Sequence, residues 1–152
     1  GPFLDRLTGP LRAAAEERLA IDPARRALWG HSMAGLFTLY TLLVRPGAFA
    51  RFIAVSPSIW WNDALLLDLE RRADAAAGTA RAVLVMLSDS ERRSSTTGPH
   101  WDGPAPHTLE MIERLRTRSG LSLRSRIFEG LAHAQTLPSS LEPALRFAVS
   151  GA

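Results

Sequence analysis

The sequence has 152 residues, of which 46% are hydrophobic and 22% are charged, a balance typical of a globular domain with a buried core. It contains no cysteine, which excludes disulfide bonds, thiolate metal sites and a cysteine nucleophile. No apolar stretch reaches the roughly 20 residues that a membrane-spanning helix requires, so we expect no membrane partner.

The formal net charge is +3 and is carried by arginine alone, because the sequence has no lysine. The arginines are scattered over several of the predicted helices, whereas a nucleic-acid-binding surface usually concentrates them beside aromatic residues. We therefore expect a solvated arginine surface and no nucleic-acid partner. Its mild positive field would favour an anionic substrate.

Helical and extended patterns alternate along the chain. Apolar residues at helical spacing predict helices over residues 3–19, 33–44, 62–77, 108–118 and 141–149. Short apolar runs between them predict strands over residues 27–29, 52–55, 82–87 and 123–128. Asn62 or Asp63 is the expected N-cap of the third helix.

This alternation predicts an α/β fold in which helices flank a mainly parallel sheet. In such sheets, ligands bind beyond the carboxyl ends of the strands. The four segments that leave the predicted strand ends begin at Gly30, Ser56, Ser88 and Glu129. All four carry polar side chains, so we expect the functional site there.

The first of these segments reads Gly-His-Ser-Met-Ala-Gly over residues 30–35 and lies between a strand and a helix. This context predicts a nucleophile elbow, a tight turn that exposes a serine hydroxyl. Ser32 is then the candidate nucleophile, and the backbone N–H of Met33 is a candidate oxyanion donor. His31, in the variable position, is a candidate packing residue or a substrate-binding residue at the rim. Ala34 departs from the usual Gly-x-Ser-x-Gly pattern, and an ordinary glycine-rich turn is the alternative interpretation.

His133 is the candidate general base. It follows the last predicted strand and precedes the last predicted helix, and hydrolases with a nucleophile elbow place the triad histidine late in the chain. From there it can reach back over the sheet to Ser32. His100 and His107, in the polar loop predicted over residues 88–107, are weaker alternatives.

The acid of the triad should follow the predicted strand 82–87, where the sequence reads Ser-Asp-Ser-Glu over residues 88–91. Its carboxylate would accept the ring N–H of His133 and stabilise the imidazolium. Asp89 and Glu91 both satisfy the spacing, so both remain candidates. The alternative is that one or both only cap a solvated loop.

The remaining histidines are dispersed, and no paired-ligand spacing for a metal is present. No glycine-rich loop that would cradle a phosphate is present either. We therefore expect no metal site and no cofactor.

Three segments together resemble the putative esterase family of α/β-hydrolases. They are residues 30–36, the run Ser-Pro-Ser-Ile-Trp-Trp over 56–61, and Gly-Leu-Ala-His over 130–133. The second segment is the most discriminating, because generic hydrolases lack it. The family includes esterase D-type enzymes, mycolyltransferases and the siderophore trilactone esterases that act on enterobactin and salmochelin. The chain is most similar to the siderophore branch.

The resemblance implies a serine esterase that cleaves carboxylic esters through an acyl-enzyme on Ser32, with His133 as base. Siderophore trilactones are the candidate substrates. In this branch the acid is sometimes absent or displaced, leaving a Ser-His dyad. Where the family has a glutamate as the acid, it follows the strand that corresponds to residues 82–87, and Glu91 matches that glutamate better than Asp89 does.

The same resemblance places Trp60 and Trp61 where they would line or buttress the site, with core packing as an equal alternative. Arg92 and Arg93, near the expected mouth, are candidate contacts for an anionic catecholate or ferric siderophore. A solvated loop is the alternative interpretation for these two arginines.

Members of this family carry further strands before residue 3. The resemblance therefore implies that residues 1–152 are the C-terminal portion of a single α/β-hydrolase domain whose N-terminal strands are missing. The strand near Ala27 would then present an apolar edge that could pair with a second chain or a second copy in a homo-oligomer. The alternative functions are a truncated, non-catalytic or partner-dependent module and an acyltransferase of the mycolyltransferase type.

Overall fold

The structure is a computed structural model that describes residues 1–73, 80–92 and 98–150. Four parallel strands form its centre. They lie side by side in chain order: β1 (Ala27–His31), β2 (Arg51–Val55), β3 (Arg81–Ser88) and β4 (Leu121–Phe128). Each strand pairs in parallel with the next. Their carboxyl ends therefore meet at one edge of the sheet, which confirms the predicted α/β class.

Helices cover both faces of this sheet. Those of the described residues are α1 (Pro2–Thr8), α2 (Pro10–Glu16), α3 (Met33–Val44), α4 (Trp61–Arg72), α5 (Pro106–Arg116), α6 (Thr136–Ser139) and α7 (Leu141–Ser150). The predicted bounds of α3 agree with the structure, and those of α5 and α7 differ by at most two residues. None of the helices in these ranges is long and apolar enough to cross a membrane.

The single helix predicted over residues 3–19 is wrong, because the chain breaks into α1 and α2 at Gly9 and Pro10. Proline has no backbone N–H and its ring clashes with the preceding helical turn, so Pro10 begins a new helix. Gly9 fits the break closely, since a Cβ on it would lie 2.8 Å from the carbonyl oxygen of Asp5. The second half of the predicted helix also ends earlier, at Glu16.

The expected cap of the third predicted helix is also wrong. Helix α4 has Trp60 as its N-cap, and Asn62, Asp63 and Ala64 lie inside its first turn with φ angles of 53°, 53° and 57°. Asn and Asp tolerate this left-handed region better than most residues, so the sequence that indicated a cap forms a kinked start instead. The predicted end of this helix, residues 74–77, lies outside the described residues.

Two apolar clusters enclose the sheet, one on each face. The larger packs side chains of α3, α4 and α5 against β2 and β3, with Leu39, Phe52 and Val85 among its members. The smaller packs α7 against the opposite face, with Ile53 and Phe147 at its centre. Residues 52–55 of β2 and 82–87 of β3 are continuous apolar runs because both faces of these strands are covered.

Candidate active site

Ser32 lies in a sharp turn between the end of β1 and the start of α3. Its φ angle is 58°, in the left-handed region that non-glycine residues rarely adopt. The turn is held in place because the N–H of Ser32 donates to the carbonyl of Val55 at 2.9 Å. The strained backbone presents the hydroxyl above the carboxyl edge of the sheet, as an elbow requires.

Two glycines make this turn sterically feasible. A Cβ on Gly30 would lie 2.2 Å from the carbonyl oxygen of Ala34, and one on Gly35 would lie 3.0 Å from that of Val55. Ala34 itself is exposed on α3. The departure from Gly-x-Ser-x-Gly is therefore harmless, since the close approach falls on Gly35.

The hydroxyl of Ser32 lies beside the imidazole of His133, which enters from the segment after β4. The distance from Ser32 Oγ to His133 Nε2 is 3.1 Å. On the other side of the ring, His133 Nδ1 lies 2.6 Å from Oε2 of Glu91. His133 is 6% exposed and Glu91 is 1% exposed, so the Ser-His-Glu arrangement is largely shielded from water.

Glu91 is held as a carboxylate. Burial alone would raise its pKa, but hydrogen bonds from the His133 ring, the Ser88 N–H and the Ser56 hydroxyl outweigh burial and bring the pKa below its ordinary value. Ser88 N lies 3.1 Å from the second carboxylate oxygen. Because a carboxylate only accepts, Nδ1 of His133 carries the proton and Nε2 is free to accept one from Ser32.

Asp89, the other candidate acid, contacts a different group. Its backbone N–H donates to Phe128 at 3.0 Å, and its carboxylate accepts the N–H of Gly130 at 2.8 Å. Gly130 has a φ angle of 70°, so Asp89 stabilises the tight turn that follows β4. The structure thus brings Glu91 to the imidazole of His133, whereas Asp89 lies at the start of the loop that carries His133.

Met33 is the first residue of α3, and its backbone N–H has no partner within the helix. This N–H lies at the positive end of the helix dipole, next to the Ser32 hydroxyl. The Met33 side chain is 46% exposed and lines an apolar groove of about 270 Å³ between α3 and α4. Trp61 lines the same groove, whereas Trp60 is partly buried at the start of α4.

His31 points from the end of β1 towards the loop that carries His133. Its Nε2 lies 3.0 Å from the carbonyl oxygen of His133 and 3.1 Å from Oγ1 of Thr136. A carbonyl oxygen can only accept, so Nε2 of His31 donates. Thr136 also donates to the His133 carbonyl at 2.7 Å, and the two side chains together fix the backbone of the base.

Arg92 contributes its backbone to this loop, since its carbonyl accepts the N–H of His133 at 3.0 Å. Its exposed side chain reaches Asp102, with Nε 3.5 Å from the carboxylate. Arg93 lies outside the described residues. The two alternative candidates for the general base lie elsewhere: His100 is exposed, and His107 lies in the first turn of α5. The imidazole that contacts Ser32 is that of His133.

Sequence reasoning missed three polar side chains of this site, namely Ser56, Ser58 and Thr136. Ser56 has a φ angle of 39°, contacts Thr136 through their hydroxyls at 3.0 Å, and also hydrogen-bonds Glu91. The hydroxyl of Ser58 lies 3.2 Å from that of Ser32. The signal for both serines was their place directly after β2, at the same sheet edge as the elbow.

Within the described ranges, no group of three or more His, Asp or Glu side chains is arranged to hold a metal ion. The polar groups at the sheet edge instead form one hydrogen-bonded chain from Glu91 through His133 to Ser32. An arrangement of this kind can remove a proton from a hydroxyl and return it to a leaving group.

Comparison with known proteins agrees with this geometry. The family model described as "Putative esterase" matches residues 3–102. The ferri-bacillibactin esterase BesA of Bacillus subtilis is 32% identical over 142 residues, which cover 91% of this chain and 48% of that protein. A siderophore triacetylfusarinine C esterase of Aspergillus fumigatus is 46% identical over 66 residues, or 43% of this chain and 23% of that protein.

Solved structures show the same fold. The siderophore hydrolase EstB from Aspergillus nidulans superposes with a TM-score of 0.79 at 27% identity, covering 96% of this chain and 56% of that one. The BES protein from Bacillus cereus gives a TM-score of 0.76 at 28% identity, covering 97% of this chain and 53% of that one. This likeness confirms the predicted α/β-hydrolase fold. The chain spans about half the length of BesA and of both structures. With the family model matched over most of its length, the chain belongs to the putative esterase family.

Proposed function

We propose that this chain is a serine hydrolase of carboxylic esters, with Ser32 as nucleophile, His133 as general base and Glu91 as the acid that orients the base. The observation that carries the proposal is the hydrogen-bonded series Glu91–His133–Ser32, with contacts of 2.6 Å and 3.1 Å on opposite sides of one imidazole. Each member comes from a different strand end, so the fold itself assembles the series.

In the proposed acylation step, Ser32 Oγ forms a bond to the ester carbonyl carbon while its proton passes to Nε2 of His133. The imidazolium then gives that proton to the alkoxide oxygen as the carbon–oxygen bond of the ester breaks. Glu91 stays ionised throughout and balances the transient positive charge. Water repeats the sequence on the acyl-enzyme and releases the acid.

The carbonyl oxygen becomes negative in the tetrahedral intermediate and needs hydrogen-bond donors. The N–H of Met33 is one proposed donor, because it opens α3 directly beside the nucleophile. Removal of one donor in such a site typically costs about 10²–10³ in turnover.

The proposed substrate is a siderophore ester of the trilactone type. Support comes from the names of the relatives, since BesA is a ferri-bacillibactin esterase and EstB a siderophore hydrolase. The apolar groove beside Met33 and Trp61 offers a surface for an aromatic part of such a molecule. Trp60, at the start of α4, is a further candidate substrate-binding residue. Arg92 is exposed at the loop that carries the base, where it would meet an anionic catecholate.

Turnover of a simple aryl ester and of a trilactone siderophore tests this proposal. We expect the chain to hydrolyse both, and Ser32→Ala to lose about 10⁶ in turnover. Ser140→Ala is the control, because Ser140 is buried and, within the described residues, its hydroxyl donates to the carbonyl of Leu137. A folded chain without turnover, or a Ser32→Ala variant as active as the control, would refute the proposal.

We further propose that residues 1–152 act as one α/β-hydrolase unit and that β1 accepts an additional strand from a second chain or a second copy. In the described residues β1 pairs with β2 on one side, and no other described strand pairs with its second side. Sedimentation at increasing protein concentration should show self-association. A monomer at all concentrations leaves only a different chain as the source of that strand.

A further inference from the structure

The second serine of the Ser-Pro-Ser turn lies against the nucleophile. Ser58 is 0% exposed, and its hydroxyl oxygen is 3.2 Å from that of Ser32. Its backbone N–H also donates to the carbonyl of Ser32 at 3.1 Å. The turn after β2 is therefore attached to the elbow at two points.

The close approach depends on Gly35. A Cβ on that residue would lie 3.2 Å from the Cα of Pro57, so the missing side chain lets the turn settle on the start of α3. Pro57 fixes the backbone that leads to Ser58. The position of the Ser58 hydroxyl is thus set by the fold and is not the result of a freely rotating surface side chain.

Counting protons fixes the direction of this hydrogen bond. Nδ1 of His133 carries its proton towards Glu91, so Nε2 is an acceptor and takes the only hydroxyl proton of Ser32. With that proton committed, the contact between the two serine oxygens is a hydrogen bond only when Ser58 donates.

We propose that Ser58 is a further catalytic residue, which donates a hydrogen bond to the oxygen of Ser32. This bond stabilises the partial negative charge that the oxygen carries while its proton passes to His133, before the charge moves to the carbonyl oxygen of the substrate. This inference rests on the proposed function. Ser58 keeps its own proton throughout, while the proton of Ser32 moves to His133 and then to the leaving alcohol. A hydrogen bond to a charged oxygen is stronger than one to a neutral hydroxyl, so the contact favours the transition state over the resting state.

The rate constant for inactivation by an aryl phosphonate measures the reactivity of Ser32 directly. We expect Ser58→Ala to lower it by about tenfold to a hundredfold, with the shape of its pH profile unchanged because proton acceptance by His133 is untouched. Ser58→Cys fills the same space with a slightly larger side chain but supplies only a weak donor, so it should also react slowly. Ser140→Ala removes an equally buried hydroxyl away from Ser32 and should stay within about twofold of the wild type.

Circular dichroism and thermal unfolding show whether each variant is folded. If Ser58→Ala does not fold, the reactivity of Ser58→Cys tests the inference. Ser58→Ala reacting within twofold of the wild type would overturn the inference. Full reactivity of Ser58→Cys beside a slow Ser58→Ala would also overturn it, because the side chain would then act only by filling space. A wild-type chain that does not react at all would refute the proposed function and this inference with it, a result distinct from the other two.

Discussion

The elbow at residues 30–35 and the loop that carries His133 supply the two halves of the proposed proton transfer, but they are held in different ways. The elbow is fixed by local geometry, in which Gly30 and Gly35 permit backbone contacts that a side chain would block. The His133 loop is fixed by hydrogen bonds to groups far away in sequence, including Glu91 and His31. A nucleophile can therefore be encoded by a short motif, whereas its base depends on the completed fold.

After loss of the nucleophile itself, the largest effect should come from the acid that orients the base. Glu91→Gln replaces a carboxylate by an amide that can offer a donor to Nδ1, which favours the wrong ring tautomer and should lower kcat by about 10⁴. Asp89→Asn is the matched control, because the amide oxygen can still accept the N–H of Gly130 and should cost little. Steady-state kinetics of the two variants on one aryl ester decide between the acids. Equal losses would mean that Glu91 has no special role.

A side chain at Gly30 should destabilise the elbow by steric overlap. Gly30→Ala places a methyl group about 2 Å from the carbonyl of Ala34, and we expect the free energy of unfolding to fall by about 3 kcal/mol, with slower labelling of Ser32. Gly47→Ala is the control, since a Cβ there meets only the end of the Arg81 side chain at 3.9 Å. Urea denaturation compares the two. If both substitutions have the same small effect, the elbow is not as tightly constrained as its contacts indicate.

Loss of the hydrogen bond from His31 should displace the loop that carries His133 and lower activity. His31→Leu removes the hydrogen bond from Nε2 to the His133 carbonyl, and we expect kcat/KM to fall by about fivefold to tenfold with little change in KM. His31→Gln retains an N–H donor and should recover part of the activity. If KM rises and kcat is unchanged, His31 instead contacts substrate, which is one of the two roles that the sequence left open.

The smallest effect should appear in the pH dependence of stability. Because the folded state lowers the pKa of Glu91 from 4.5, this group stabilises the fold above pH 4.5, and that contribution is lost as the pH falls through the lower folded value. The melting temperature of the wild type should therefore drop more steeply in acid than that of Glu91→Gln. Parallel acid profiles would show that the carboxylate does not contribute.

What the sequence could predict follows the same division between local and distant constraints. Helix α3 and the elbow were predictable because glycine placement and apolar spacing act over a few residues. Spacing alone left the choice between Asp89 and Glu91 open, and the family resemblance favoured Glu91. The fold places Glu91 at His133 and Asp89 at Gly130.

Two errors in the helices show how context overrides local preference. Gly9 and Pro10 break a stretch whose apolar spacing alone favours one helix. Asn62 and Asp63 adopt left-handed angles within α4, where their residue types had indicated a cap. The roles of Ser56, Ser58 and Thr136 were not assigned for a related reason. The place of the two serines after β2 indicated the site, but the partners of a hydroxyl group are set only when the parallel strands bring distant segments together.

The most direct test of the central claim is to treat the folded chain with an aryl phosphonate and locate the adduct by peptide mass spectrometry. The account predicts a single modified peptide with the added mass on Ser32, and its absence from a His133→Ala chain treated for the same time. An adduct on another serine, or equal labelling of Ser32 without the imidazole, would contradict the proposal that these two side chains act together.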